Sequence, residues 1–203
     1  MQRVLSLSEI RIAGFGGQGV ILAAAVIGKA AAIFQDGHAT MTQSFGPEAR
    51  GGSSSAQVIL SGDPILYPYI TRPDILVVMS QEAYTRFSPE LKPGGILITE
   101  QELVRVDSIP SGVRAFGVPA TRIAEELGRK VVLNIVMVGF FGAVTNLVDP
   151  DSLRRAVADS VPPALQKLNL QAFDKGFEYG TRLIARMALD NGIEPLVLET
   201  ELL

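Results

Sequence analysis

Apolar stretches of strand length alternate with segments of helix length along most of the chain. Residues 74–80 form a predicted strand whose centre, residues 75–79, is a continuous apolar run, as expected for a strand buried on both faces. Further strands are predicted at residues 10–13, 37–44, 56–61, 96–100 and 113–118, and helices at residues 20–34, 81–87, 119–127, 152–160 and 168–187. This alternation predicts an α/β fold with a mostly parallel sheet and an antiparallel excursion around residues 54–70.

Residues 131–148 form the most apolar segment of the chain. A helix that is apolar on every side must be enclosed by its own domain or by a partner. Gly139, Gly142 and Ala143 would let another helix approach closely, so the segment is interpreted as a central core helix or as a subunit contact. Polar residues interrupt the run, and it is barely long enough to span a bilayer.

The C-terminal part of the chain, from about residue 150, is predicted to be helical. Asp149, followed by Pro150, provides an N-cap and a first-turn proline for the helix at residues 152–160. The last long helix is predicted to be interrupted at Gly176 and Gly180. We expect residues 190–203 to dock on a partner or to be partly ordered.

A glycine-rich stretch joins the first predicted strand to the first predicted helix. In the strand, glycine loop, helix order of nucleotide-type folds, Gly14 would allow the tight turn, Gly16 would let backbone N–H groups approach an anion, and Gly19 would let the helix pack closely on the strand. This pattern predicts a Rossmann-like, three-layer domain. The alternative is a glycine turn that only allows strand and helix to pack.

The end of the second predicted strand lacks the acidic residue that holds an adenosine ribose in conventional dinucleotide sites. Gln43 and Ser44 occupy this region, and Asp36 precedes the strand beside a turn-forming glycine. The sequence therefore does not predict conventional NAD binding.

Residues 42–55 are polar and rich in glycine, and they show no helix or strand periodicity. Loops at the carboxyl ends of strands form the ligand crevice of open α/β sheets. Arg50, followed by Gly51 and Gly52, could present a guanidinium group and backbone N–H groups to a phosphate or carboxylate. Alternatively, Arg50 pairs with Glu48 or with solvent on a surface loop.

Composition narrows the possible functions. The 203 residues are 47% hydrophobic, enough for a full core, and predict a single domain. A net charge of −3 with scattered basic residues offers no face for nucleic acid. The chain contains no cysteine, which excludes thiolate ligation of an iron–sulfur cluster, and its single histidine, His38, is expected in a turn or loop. The N-terminus lacks an apolar signal region, so we expect a cytoplasmic protein that does not enter a membrane.

No catalytic constellation is evident from the sequence. The serines at 53–55 have no histidine placed beside them by a recognisable motif. The acidic candidates are expected on solvated helix faces or loop ends: Glu82, Glu100, Glu102, Glu125 and Glu126.

Four stretches together carry a resemblance to a known family. They are IAGFGGQGV at residues 12–20, TQSFGPEARGG at 42–52, PDILV at 73–77 and LKPGG at 91–95. Over roughly residues 9–180 the chain resembles the gamma subunit of 2-oxoacid:ferredoxin oxidoreductases. The GPEARGG form is more similar to 2-oxoglutarate and branched-chain members than to pyruvate members. The small subunit of indolepyruvate oxidoreductase is related, and this identification of the chain stays open.

The resemblance implies a subunit of a larger enzyme that decarboxylates a 2-oxoacid on thiamine diphosphate, passes electrons through iron–sulfur clusters to ferredoxin and transfers the acyl group to coenzyme A. It places thiamine diphosphate, Mg and the clusters in partner subunits (alpha, beta and delta), with coenzyme A possible at the surface of this chain. It implies no catalytic residue or metal ligand here. Because the chain lacks every residue type that could hold a cluster or a thiol intermediate, we expect the isolated chain to be inactive, and a homodimer of the isolated chain stays open. The residues that it places toward a ligand or anion are Gly14, Gly16, Gly17, Gln18, Gly19, Ser44, Arg50, Gly51 and Gly52.

Two other functions stay open at this stage: a free-standing NAD(P)-dependent oxidoreductase, and a scaffold domain that binds no small molecule. The missing acidic residue after the second strand argues against the first. The second differs from the favoured interpretation only in whether the glycine loop and Arg50 contact a ligand.

Overall fold

The computed structural model describes residues 5–46 and 52–190. Its strands are β1 Ser8–Phe15, β2 His38–Phe45, β3 Ser53–Ser61, β4 Ile75–Val78, β5 Ile96–Glu100 and β6 Arg114–Val118. Its helices are α1 Val20–Phe34, α2 Gln81–Phe87, α3 Ala120–Glu126, α4 Leu133–Thr145, α5 Pro150–Asp159 and α6 Pro163–Asp190. The predicted α/β class, with helices on both faces of the sheet, is confirmed.

The six strands form one sheet in the order β2-β3-β1-β4-β5-β6. β1, β4, β5 and β6 pair in parallel, whereas β3 pairs antiparallel with both β1 and β2. The predicted antiparallel excursion is therefore confirmed. Because β3 runs opposite to its neighbours, β2 points in the same direction as β1 without touching it.

The two faces of the sheet carry layers of unequal thickness. A large apolar core lies between the sheet and α1, α3, α4, α5 and α6. A smaller core on the other face is formed by α2 and by apolar side chains of the segment that links β5 to β6. α2 mainly contacts β1 and β4, so among the described residues the β2–β3 part of this face is less covered by a helix. The thin layer thus leaves the antiparallel end of the sheet accessible.

The two ends of the stretch 42–55 are more regular than the sequence predicted, whereas its residues 47–51 lie outside the described residues. Thr42 to Phe45 belong to β2 and Ser53 to Ser55 belong to β3, so the two strands form an antiparallel hairpin. The prediction that these end residues lack strand structure is wrong, because polar hydroxyl side chains here occupy strands whose face is open to solvent. His38 likewise begins β2 and is not a loop residue.

α4 is the central core helix, as one of the two interpretations predicted. Eleven of its 13 residues are buried within the chain. A β-carbon added at Gly139 would overlap the Phe173 carbonyl of α6, and one added at Gly176 would overlap the Val136 carbonyl of α4. The glycines of α6 thus permit close packing on α4 and do not interrupt the helix, contrary to the prediction.

An ion-pair cluster ties together the amino ends of β1, β4 and β5. Lys92 Nζ lies 2.6 Å from Glu9 Oε2 and 2.8 Å from Asp74 Oδ1. Asp74 Oδ2 also accepts a 2.8 Å hydrogen bond from the Glu9 backbone N–H. A β-carbon at Gly95 would lie 2.8 Å from the Asp74 carbonyl oxygen, so this position requires glycine. The PDILV and LKPGG stretches are therefore explained by the packing of this edge.

The pKa of Lys92 reports on this cluster. Partial burial lowers the pKa of the ammonium, but hydrogen bonds to Asp74 and Glu9 outweigh that effect and raise the pKa above its ordinary value of 10.5.

Within the described residues, no helix is both long and apolar enough to cross a membrane.

We predict that Gly139→Ala destabilises the fold, because its methyl group would press on the α6 backbone. The expected loss in the free energy of unfolding is about 1–3 kcal/mol or more. Gly28→Ala is the matched control: Gly28 is also buried in a helix, but its added β-carbon would lie 3.7 Å from its nearest neighbours. This control should gain about 0.5–1 kcal/mol from helix propensity. Urea unfolding of the two variants checks the prediction, and equal stability would contradict it.

We further predict that Lys92→Met costs stability in a pH-dependent manner. Since the folded-state pKa is raised, the contribution of Lys92 is complete below the unfolded-state pKa and is lost as pH rises through the folded-state value. The Lys92 side chain is 38% exposed, so the loss should be only about 1 kcal/mol. The difference between wild type and variant should be constant near neutral pH and shrink above pH 10.5. A difference that grows at alkaline pH, or an equal effect of Lys167→Met on the exposed side of α6, would refute it.

Candidate functional site

The two glycine-rich stretches of the sequence meet at the carboxyl end of β1. β1 ends opposite the first residue of β3, with Phe15 paired to Ser53. The Gly16 backbone N–H donates a 2.8 Å hydrogen bond to the Gly52 carbonyl oxygen, and the Gly46 N–H donates one of 2.7 Å to the Ser53 carbonyl. The antiparallel strand β3, and not β2, thus brings the second stretch beside the glycine loop.

The glycine loop begins two residues later than predicted. Gly14 lies inside β1, and the chain turns only after Phe15. A β-carbon at Gly14 would lie 2.5 Å from the Gln18 side-chain oxygen, so this glycine makes room for a side chain. Positive φ angles occur at Gly17 (96°) and Gly19 (74°), conformations that favour glycine. The predicted role of Gly14 in the turn is therefore wrong.

The Gln18 side chain closes this loop. Its Oε1 accepts a 2.6 Å hydrogen bond from the Phe15 backbone N–H, and its Nε2 donates a 2.8 Å hydrogen bond to the Met79 carbonyl at the end of β4. The amide uses both of its polar ends on backbone groups. Gln18 therefore holds the ends of β1 and β4 together.

Gly19 serves packing between helices, and not between helix and strand as predicted. It is the N-cap of α1, and a β-carbon there would overlap the side chain of Asn134 at the start of α4. Asn134 is 2% exposed and donates a 3.2 Å hydrogen bond from Nδ2 to the Gly19 carbonyl. Gly19 thus lets the amino end of α4 approach the amino end of α1.

A cavity of about 160 Å³ opens beside this junction, between the β2–β3 hairpin and α2. It brings Gly14 and Ser44 together, two of the nine predicted ligand-facing residues. Gly16, Gly17, Gln18, Gly19 and Gly52 do not line it, although they form the loop beside it. Arg50 and Gly51 lie outside the described residues. The lining residues are Gly14, Ser44, Phe45, Gly46, Ser53, Ser54, Ser55, Glu82, Ala83, Arg86 and Phe87.

Arg86 is the charged group that sequence reasoning missed. It lies on the exposed side of α2, its guanidinium carbon 5.0 Å from the centre of the Phe87 ring, and it forms no ion pair with any described residue. In the sequence, Glu82 and Arg86 look like an ordinary surface pair four residues apart on a helix. The usable signal was the position of α2, which begins three residues after the end of β4 and so at the carboxyl edge.

Two buried charged residues stabilise the surroundings of the site. Glu100 is 0% exposed at the end of β5, and its carboxylate accepts hydrogen bonds of 2.6–3.0 Å from the backbone N–H groups of Leu103, Glu102 and Thr121. The expectation of a solvated Glu100 is therefore wrong, because three backbone donors compensate its burial. Arg11, 4% exposed on β1, pairs with Glu90 beneath the thin layer.

The strand arrangement differs from that of a conventional dinucleotide site. There, a parallel second strand beside β1 carries the acidic ribose ligand at its carboxyl end. Here the neighbour of β1 is antiparallel, and it presents Ser53 to Ser55 at that edge. Among the described residues, no three His, Asp or Glu side chains converge closely enough to hold a metal ion.

Two relatives match this chain along nearly their whole length, and the one of known structure shares its fold. The 2-oxoglutarate synthase subunit KorC of Methanocaldococcus jannaschii is 45% identical over 184 residues, which cover 90% of this chain and 98% of the relative. The gamma subunit of a keto/oxoacid ferredoxin oxidoreductase from Geobacter sulfurreducens superimposes with a TM-score of 0.78 at 36% identity, covering 87% of this chain and 98% of that chain.

A longer protein contains the same domain. The 2-oxoglutarate:ferredoxin oxidoreductase of Magnetococcus marinus, solved with 2-oxoglutarate, coenzyme A and succinyl-CoA bound, superimposes with a TM-score of 0.75 at 26% identity. The match covers 88% of this chain but 31% of that one. The pyruvate ferredoxin/flavodoxin oxidoreductase family matches residues 9–179. Together with the KorC relative and the gamma-subunit structure, this match shows that the chain belongs to the pyruvate ferredoxin/flavodoxin oxidoreductase family, as a gamma subunit.

Proposed function

We propose that this chain is the gamma subunit of a cytoplasmic 2-oxoacid:ferredoxin oxidoreductase that converts 2-oxoglutarate and coenzyme A to succinyl-CoA, CO2 and reduced ferredoxin. The observation that carries the proposal is the match to a 2-oxoglutarate synthase subunit along 98% of that relative's length. The contact between the glycine loop and the second glycine-rich stretch supports the proposal. This contact places the residues that carry the family resemblance on one surface.

The redox chemistry of such an enzyme requires groups that this chain does not supply. Iron–sulfur clusters are held by cysteine thiolates, and the sequence contains no cysteine. The clusters, thiamine diphosphate and its Mg²⁺ therefore belong to the alpha, beta and delta subunits in this proposal, and ferredoxin is reached through the assembled enzyme. The role of this chain is to shape the surface that substrates approach.

The size of this cavity limits the part of a ligand that can enter it. Drug-sized ligands occupy pockets of about 300–1,000 Å³. The cavity of about 160 Å³ is smaller, so it accommodates one functional group of a ligand and not a whole coenzyme A molecule. The remainder of coenzyme A would extend along the carboxyl edge or onto a partner subunit.

The domain arrangement of a relative supports association with larger chains. In the Magnetococcus protein, the matching region is 31% of a longer chain. A region that is fused to other parts of one enzyme commonly contacts those parts when it occurs as a separate subunit. Exposed apolar side chains at the hairpin edge, such as Phe45 (65% exposed), are suited to such a contact.

The experiment that tests the function is a comparison of the isolated chain with the complex purified from its own cells. We expect the complex to reduce a viologen dye with 2-oxoglutarate and coenzyme A, faster than with pyruvate, branched-chain 2-oxoacids or indolepyruvate. The isolated chain should give no reduction, because it lacks a thiol or cluster ligand. Dye reduction by the pure chain, or a complex that accepts no 2-oxoacid, would refute the proposal. An NADH fluorescence titration of the pure chain tests the dehydrogenase alternative.

Arg50 remains the predicted anion-binding residue of the second glycine-rich stretch. Arg50→Ala removes a charge-assisted hydrogen bond of about 1.5–3 kcal/mol if the residue holds coenzyme A or the oxoacid. The KM for one of them should then rise about tenfold to hundredfold in the assembled enzyme, and Arg50→Lys should recover only part of the loss. Arg182→Ala, on the exposed side of α6, is the matched control. Wild-type constants in both Arg50 variants would make Arg50 a surface residue.

A further inference from the structure

Three serine side chains form a hydroxyl-lined floor in the cavity beside α2. Ser53 and Ser55 lie two residues apart on β3 and therefore share a face of the sheet. Ser44 on β2 is paired directly with Ser55 and shares that face. None of the three hydroxyl groups has a hydrogen-bond partner among the described residues. The floor thus offers three free hydroxyl donors.

Arg86 adds a positive charge to the rim of the same cavity. Its guanidinium group forms no ion pair with any described residue, and the guanidinium carbon lies 5.0 Å from the centre of the Phe87 ring. Contact with one face of an aromatic ring leaves the N–H groups of the guanidinium free to donate. A guanidinium with free donors beside hydroxyl groups is suited to a carboxylate or a phosphate.

Glu82 distinguishes between these two anions. It lies one helical turn before Arg86 and lines the same cavity, without forming an ion pair with Arg86. The described lining carries one positive and one negative side chain, so Glu82 offsets the attraction of Arg86 in the same proportion for a monoanion and for a dianion. Because the cost of removing an anion from water rises steeply with its charge, a lining without net charge disfavours a phosphate dianion.

The volume limits the ligand to one small group. The cavity of about 160 Å³ is well below the roughly 300–1,000 Å³ of pockets that enclose drug-sized ligands. This volume is enough for a carboxylate with one or two adjoining carbons. Longer molecules would have to leave the cavity through its open side.

We propose that Arg86 and the hydroxyl groups of Ser44, Ser53 and Ser55 bind a carboxylate group of a small 2-oxoacid, and that Glu82 discriminates against phosphate dianions. The binding of a carboxylate is independent of the proposed function, whereas the 2-oxoacid as its source rests on it. Arg86 is then a specificity residue for the organic acid and not for the phosphates of coenzyme A.

An NMR titration of the full 203-residue chain tests the site directly. At about pH 8, where phosphate is mainly the dianion, acetate should shift the backbone amide signals of Ser44, Ser53 and Ser55 at lower concentration than inorganic phosphate does. Arg86→Ala should weaken acetate binding by about tenfold or more, and Arg86→Lys should recover part of it. Glu82→Gln should strengthen phosphate binding more than acetate binding.

The control for general charge effects is Arg122→Ala. Arg122 lies on α3, which also begins at the carboxyl edge, but it pairs with Glu102 and does not line the cavity. This variant should bind acetate as wild type does. Absence of acetate binding to the wild type, unchanged binding in Arg86→Ala, or tighter binding of phosphate than of acetate would each overturn the proposal.

The complete enzyme identifies the source of the carboxylate. Arg86→Ala should raise the KM for the 2-oxoacid about tenfold and leave the KM for coenzyme A unchanged. Weakened assembly with unchanged constants would mean that an acidic side chain of a partner subunit fills the cavity, which overturns the assignment to a 2-oxoacid. A wild-type complex that accepts no 2-oxoacid would refute the proposed function, while the NMR result would still decide whether the cavity binds carboxylates.

Discussion

The antiparallel pairing of β3 with both β1 and β2 is the constraint on which the candidate site depends. In a conventional doubly wound unit, a helix returns the chain so that a parallel strand lies beside β1. Here a hairpin returns it, and the first residues of β3 meet the last residues of β1. The Gly16 to Gly52 hydrogen bond is possible because of this reversal. The same reversal puts serines, and not the end of a parallel strand, beside the glycine loop.

Local sequence signals predicted several regular elements well, because the apolar spacing and the capping residues of these elements lie within the elements themselves. α1, α2 and β5 have the predicted boundaries, and Asp149 caps α5 by accepting a hydrogen bond from the Ser152 backbone N–H. The hairpin was harder to predict because its strand ends are polar on the open face. Thr42 and Ser44 are residue types common in loops, yet their backbones pair with β3 and belong to a strand.

The properties of the site that the sequence did not reveal are contacts between distant residues. Gln18 looked like a ligand-facing residue, but its amide is used by the backbones of Phe15 and Met79. Glu100 looked like a loop-end carboxylate, but it is enclosed by the backbone donors of two neighbouring segments. For Arg86 the only sequence signal was the position of its helix at the carboxyl edge, because the β2–β3 hairpin on the other side of the cavity is what makes Arg86 a lining residue. Burial and tertiary pairing, which no local pattern encodes, decide all three cases.

The lengths of α4 and α6 have a mechanical consequence. At 1.5 Å per residue, the 28 residues of α6 extend about 42 Å, whereas the 13 residues of α4 extend about 20 Å. Asp190 is ten residues beyond Gly180, so the end of α6 projects about 15 Å past the last glycine of the crossing. α6 therefore extends beyond a crossing at which its backbone directly contacts the backbone of α4. A force on the end of α6 would therefore act on the backbone of α4, the helix whose first turn packs Asn134 against Gly19 of the glycine loop.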